Sequence, residues 1–255
     1  MNLSCQNCGQ GLNGTFCSNC GQKKYSKIDK KYIFDEIQYT FLHFNKGFLY
    51  TIKSVFINPG KTAKEFIEGK RVNHYKPILF LFVLSGISTF ISYKIIGLKE
   101  IMARHYATNN VDSVEKSNVM SSVFSFITDY NTLIMIAFVP FLAIATKIAY
   151  RKKGNNYYEH VVMNTFLLSF YTLLNFILVY PLMFFLKNDS PSFIISLSSY
   201  SLILFPIIYV FFFKEFYKQL SVNSVIFKSV LISILIFVQY LILMIIGFTL
   251  YAFLK

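Results

Sequence analysis

"VVMNTFLLSFYTLLNFILVYPLMFFL" (residues 161–186) runs for 26 residues without an Asp, Glu, Lys or Arg. An apolar helix of about 20 residues covers the ~30 Å hydrocarbon core of a bilayer, so this stretch reads as a membrane span. Two more stretches, 193–213 and 229–254, are equally free of charge. Residues 77–97 and 131–149 carry one lysine each, Lys94 and Lys147, near an end where the long stem brings the ammonium to the interface. Leu, Ile, Phe and Val each favour insertion by about 0.3–0.6 kcal/mol, which outweighs one peripheral lysine. The expected fold class is therefore an all-α integral membrane helical bundle of about five transmembrane helices. Composition agrees: 55% of the 255 residues are hydrophobic and 15% are charged, too few to clothe a large soluble core.

The net charge of +13 is placed unevenly. Residues 1–76 hold 12 Lys and Arg against five acids; Lys147, Arg151, Lys152 and Lys153 follow the second span, and Lys214, Lys218 and Lys228 follow the fourth. In a five-span chain these nineteen share one side and six share the other. The positive-inside rule then places the N-terminus in the cytoplasm and the C-terminus outside, in the cytoplasmic membrane. No charged n-region and apolar h-region open the chain, so its first residues do not read as a secretory signal. The exterior stretch 98–130 is the one long loop, with a surface helix expected near 119–127. Pro140, Pro181 and Pro206 lie in or near spans, where each removes a backbone donor and permits a kink. Asn175 and Gln239 are expected to join helices by hydrogen bonds.

All four cysteines lie in "CQNCGQGLNGTFCSNCGQ", residues 5–22, which says nearly the same thing twice. Each CxxCG turn brings two sulfurs together, and its glycine accepts the positive φ that aims backbone amides at them. Four thiolates suit a tetrahedral metal at about 2.3 Å. Leu12 and Phe16 are the only sizeable apolar side chains between Cys5 and Cys20, so metal binding must supply the folding energy. Residues 1–24 are thus expected to form a small zinc ribbon with Cys5, Cys8, Cys17 and Cys20 as ligands; the ligand set admits iron as well. A reducing compartment disfavours disulfides, and no βαβ context supports a redox CxxC. A site closed by four cysteines leaves no position for water or substrate, which makes the metal structural.

Residues 28–76 alternate apolar and basic character at helical spacing. Ile33, Phe34, Ile37, Phe41, Leu42 and Phe44 form one stripe, and Phe48, Leu49, Ile52, Val55 and Phe56 a second. Asn58-Pro59-Gly60 breaks the chain, a helix of about 61–68 follows, and Gly69 stops it. Cytoplasmic amphipathic, interfacial helices are expected here, with Lys61, Lys64, Lys70 and Arg71 meeting anionic lipid headgroups; packing on the cytoplasmic ends of the bundle is the other course open to them.

Three stretches resemble bacterial membrane proteins classed as domain of unknown function 3667: "FCSNCGQK" (16–23), "KGFLYTIKSVFINPGKTAKEFIEGKRVNHYKPILFL" (46–81) and "YYEHVVMNTF" (157–166). The resemblance implies an N-terminal zinc ribbon, with its ligands on Cys5, Cys8, Cys17 and Cys20, followed by a multi-span membrane domain. It implies no reaction.

Sites of chemistry are sparse. Glu159, His160 and Asn164 open the third span, with His160 and Asn164 one turn apart on a shared face. Ionisable groups at a membrane helix mouth are functional suspects; an acid that complements the helix dipole is the plainer account. No GxSxG, Walker loop, HExxH or dinucleotide fingerprint occurs, so no enzyme is expected. With 22 Lys to three Arg, the chain lacks the arginine of base or bidentate phosphate recognition, which argues against nucleic acid. The function expected is a binding or scaffold protein that presents its ribbon to a cytoplasmic protein partner, with membrane lipids as the other contact. The alternatives are a small-solute or lipid transporter and a membrane enzyme using Glu159 and His160.

Overall fold

The computed structural model describes residues 4–24, 27–33, 47–102, 126, 129–187 and 191–254. The apolar stripe expected through Phe44 and the surface helix near 119–127 lie outside these residues, apart from Ile33 and Phe126. Among the described residues the chain is helical, with no strand beyond two isolated bridges in the cysteine module.

Beyond a short helical stretch at 30–33 comes a helical hairpin: α1 (Phe48–Ile57) and α2 (Pro59–Ile67). Pro59 at the first position of α2 supplies a preset φ and gives up an N–H that the helix start would not use. The Thr62 hydroxyl reaches both the Ser54 carbonyl of α1 at 3.0 Å and the Asn58 carbonyl at 2.8 Å, closing the hairpin. Gly69, at φ +114°, ends α2 as the sequence implied. Lys70 N–H bonds the Glu65 carbonyl at 2.9 Å and Gly69 N–H the Phe66 carbonyl at 3.2 Å, the paired bonds of a glycine C-terminal cap.

Five long helices follow. The first, α3 (Pro77–Ile96), turns to π geometry over Ile91–Ile96 and stops at Gly97 (φ +72°). After α4 (Asn131–Ala149) comes α5 (Tyr157–Leu186), which begins four residues before the uncharged run. Its π-turn at Asn175–Val179 precedes Pro181, where a normal ladder would lose a donor and meet the ring. Asn175 donates to the Tyr171 carbonyl of its own helix at 2.9 Å, a bond within one helix where one between helices was expected. The last two are α6 (Pro191–Phe216) and α7 (Val222–Leu254).

Four stretches are long and apolar enough to cross a membrane: Pro77–Ile96, Asn131–Ala149, Tyr157–Leu186 and Val222–Ile245. Helix α6 covers the remaining expected span, 193–213, and runs between the same two ends of the bundle. At one end Tyr217, just past α6, donates to Asn155 Oδ1 at 2.9 Å, and Asn156 donates to the Ile28 carbonyl at 2.7 Å. At the other, Lys187 donates to the Ile95 carbonyl at 3.1 Å. The loop after α4, the turn after α6 and the segment at Ile28 therefore meet at one end.

Helix α5 is the most enclosed, with α3, α4, α6 and both hairpin helices packed on it. The core joins Ile28, Val55, Phe66, Phe80, Phe166, Phe212 and Val225. The hairpin belongs to this core: Phe66 meets Phe166 edge-on with centroids 5.6 Å apart, and Gly60 lies against the α6 backbone. Of the two courses open to residues 28–76, α2 takes packing against the bundle. The outward faces remain apolar, with Phe90, Ile177, Phe185 and Phe227 exposed.

A Cβ built on Gly60 would stand 2.1 Å from the Phe212 carbonyl oxygen, and the obstacle is backbone that cannot swing away. Gly60→Ala is expected to cost about 1–3 kcal/mol through overpacking and to lower the thermal midpoint of the detergent-purified protein. Gly86→Ala, where a Cβ meets nothing within 4 Å, is expected to leave that midpoint in place.

Candidate metal centre

The two cysteine turns are built alike. Cys5 N–H bonds the Gln10 carbonyl at 2.7 Å and Gly9 N–H the Cys5 carbonyl at 2.8 Å; Cys17 with Gln22 and Gly21 with Cys17 repeat the pair at 2.7 and 2.9 Å. Gly9 and Gly21 have φ of +77° and +71°, the left-handed backbone for which each turn uses glycine. Antiparallel bridges Ser4–Gly11 and Phe16–Lys23 close the two loops.

This symmetry sets the sulfurs against each other across the turns. Cys5 Sγ lies 3.6 Å from Cys20 Sγ, Cys8 Sγ lies 3.5 Å from Cys17 Sγ, and all four fall within 4.8 Å of one another. A tetrahedron with metal–sulfur bonds of about 2.3 Å has edges of roughly 3.8 Å, whereas a disulfide needs about 2.05 Å. The four thiols therefore fit a single metal ion and no disulfide pair. Backbone amides favour thiolate here. The Gln22 N–H, with help from Asn7 and the other sulfurs, brings Cys20 down to about 6 against the desolvation that opposes it. The Cys20 and Asn19 amides lower Cys17. At Cys8 the Gln10 amide also pulls down, but desolvation and the Cys17 and Cys20 sulfurs outweigh it and the thiol rises to about 11. A cation at the centre would displace the thiol protons, since metal binds the thiolate form.

Gln22 joins this module to the membrane domain. Its carbonyl belongs to the second turn, and its side-chain Oε1 accepts the backbone N–H groups of Arg71 and Val72, each at 3.2 Å. The residue is buried. Nothing local in the sequence marked Gln22 as a clamp; its repetition after each CxxCG was the available signal. Ile28 and Asn156 were missed for the same reason. Ile28 is fully buried, and its carbonyl is held by an asparagine that lies 128 residues on.

The four basic residues expected at lipid headgroups are mostly engaged within the chain. Lys64 pairs with Glu68 at 3.8 Å and Lys70 with Glu65 at 3.1 Å. The Arg71 guanidinium lies 4.7 Å from the Tyr32 ring centre and 5.6 Å from that of Phe66, and its Nε donates to the Phe66 carbonyl at 3.1 Å. Lys61 is exposed. In the same loop, burial holds His74 below its ordinary pKa, and its ring lies edge-on to Tyr50 and Phe66.

Glu159, His160 and Asn164 are brought together but have unlike surroundings. Glu159 closes a capping box: Asn156 Oδ1 accepts its N–H at 2.8 Å, and its Oε2 accepts Asn156 N–H at 2.9 Å and Asn155 Nδ2 at 3.0 Å. The plainer account of this acid is the one its geometry follows. His160 and Asn164 are fully buried and both reach Thr146 Oγ1, at 3.2 and 2.8 Å. Among the described residues, His160 Nε2 and Asn164 Oδ1 meet no hydrogen-bond partner.

One equivalent of a thiophilic metal per chain is expected in protein purified without chelator, measured by elemental analysis. Cys17→Ser should lose most of it and leave the module open to proteolysis, because no apolar core replaces the metal.

Residues 45–89 match the family described as protein of unknown function (DUF3667). No curated protein and no solved structure matches the chain. The matched segment holds the α1–α2 hairpin, the loop that Gln22 grips and the first half of α3; the cysteine module and the later helices lie beyond it. Over that segment the chain is similar to the DUF3667 family.

Proposed function

We propose that this is a five-span membrane scaffold that holds a zinc-folded ribbon in a fixed pose at the cytoplasmic face for a protein partner. The Gln22 clamp carries the reading. A module tied by two backbone hydrogen bonds to the root of the first span is posed, where a loose tether would let it wander. Phe16, in the second turn, is 61% exposed and points away from any core, the kind of apolar anchor that a partner pocket buries. Zinc is the metal proposed because four thiolates in a tetrahedral array match its preference, and iron is the competitor. The cytoplasmic placement rests on the basic end of the bundle. Catalysis has no part in this reading: Glu159 is consumed in a helix cap and His160 has no exposure.

Affinity capture from solubilised membranes tests it. A partner recovered with the wild-type chain should be lost with Cys17→Ser and also with Phe16→Ala, the latter with its metal content intact. An unchanged partner list in Cys17→Ser would remove the scaffold reading.

The second reading, passage of a small solute or lipid through the helical domain, draws on one observation. His160 Nε2 and Asn164 Oδ1 are buried acceptors without donors, at a cost of about 1–3 kcal/mol each unless something polar visits them. On this reading Asn164→Leu keeps the fold and abolishes solute or lipid movement in reconstituted vesicles; movement equal to wild type would dismiss it.

A further inference from the structure

The exposed face of α1 is apolar. Leu49 is 78% exposed, Ile57 54%, Tyr50 49% and Phe56 41%, and at about 100° per residue these four share one arc with Lys53 at its middle. Thr51 and Val55, on the opposite side, are buried. A helix that turns its core face inward ordinarily shows water a polar face. Here the second face is apolar too, and water is the wrong solvent for it.

The depth of α1 is set by four contacts. A Cβ on Gly47, at φ +128°, would stand 2.6 Å from the Asn73 carbonyl oxygen. The Thr51 hydroxyl accepts Tyr75 N–H at 2.7 Å. Phe48 meets Tyr75 at 5.3 Å and Phe80 at 5.5 Å, ring centre to ring centre. All of these partners lie at the entry to the first span, which starts at Pro77. From that hairpin Phe66 reaches Phe166, nine residues or about 14 Å into α5. The helix is therefore held where the chain enters the membrane, level with the point at which the apolar outer surface of α3 begins.

We propose that α1 lies in the plane of the bilayer interface, with Leu49, Phe56 and Ile57 among the upper acyl chains and Lys53 reaching lipid phosphates. Continuity with the apolar outer surface of the spans selects lipid over a soluble partner. A lone lysine inside an apolar arc fits as well, since its stem can lie along the acyl chains while its ammonium meets a phosphate. Tyr50, exposed on this arc, sits at the level where interfacial aromatic belts form. Lipid contact thus falls to the apolar arc of α1, while Lys64, Lys70 and Arg71 are engaged by the chain itself.

The chain has no tryptophan, so one substitution installs a unique probe. Leu49→Trp and Ile57→Trp would be placed in the full-length protein in vesicles of phosphatidylcholine and phosphatidylglycerol, with or without phosphatidylcholine brominated high or low on its acyl chains. Phe16→Trp serves as the aqueous control and Phe90→Trp as the membrane control. The expected result is blue-shifted emission at 49 and 57, quenched by the shallow bromines to the extent seen at 90 and several-fold more than at 16, with acrylamide ineffective. Acrylamide quenching equal to that at 16 would show an aqueous face and overturn the proposal. Protection from both quenchers would mean that polypeptide, from this chain or another, covers the arc, and would overturn it equally. Melting behaviour like that of wild type secures the comparison, because both positions lie outside the core.

Discussion

A backbone N–H or C=O inside hydrocarbon has no water to bond, so the chain must satisfy it from within. The described helices between Pro77 and Leu254 follow from that. The described residues are continuous helices even where the sequence interrupts them, and each interruption is absorbed locally. Pro181 removes a donor, and the π-turn at Asn175–Val179 takes up the mismatch, with Asn175 bonding back to Tyr171. Thr165, Ser169 and Thr172 turn their hydroxyls onto the carbonyls four residues earlier, so polar side chains in the most enclosed helix leave no hydroxyl stranded.

The same requirement governs the basic end, where helices stop and their last carbonyls need donors. A lysine supplies one, and others bond loop carbonyls just beyond the helix ends. Lys228 donates to the Ala149 carbonyl at 2.8 Å and Lys147 to the Asn155 carbonyl. Lys214 donates to the Lys218 and Leu220 carbonyls at 3.1 and 2.7 Å. The basic residues at this end thus bond carbonyls at or just past its helix ends. Aromatic contacts join the same loops: Tyr150 stacks on Phe213 and Tyr217, and Tyr217 in turn holds Asn155.

At the cysteine module the dependence reverses. It has no core to speak of, and its order rests on sulfur geometry and on Gln22. A single glutamine serves both structures, lending its backbone to the thiol turn and its side chain to the loop before the first span. Its neighbour in space, Arg71, stacks on Tyr32 and Phe66, and Phe66 meets Phe166. The module is thereby in packing contact with the middle of the helical domain through three successive side chains.

Periodicity, composition and short spacing determined a great deal. The uncharged runs, the C-terminal stop at Gly69 and the convergence of Cys5, Cys8, Cys17 and Cys20 depend on residues close in the chain, and their physics is local enough to read from order alone. Helix boundaries shifted by a few residues because Asn156, a capping residue outside the apolar run, starts α5 earlier than hydropathy does. What only the tertiary structure decided are meetings between distant residues: Gln22 with Arg71 and Val72, Ile28 with Asn156, and Gly60 with the backbone at Phe212. It also decided that Lys64 and Lys70 pair with acids on the surface of the same chain and Arg71 with the Phe66 carbonyl, while the apolar arc of α1 faces out. Each of these depends on which surfaces are left uncovered once the helices have packed, and no periodicity within a single segment encodes that.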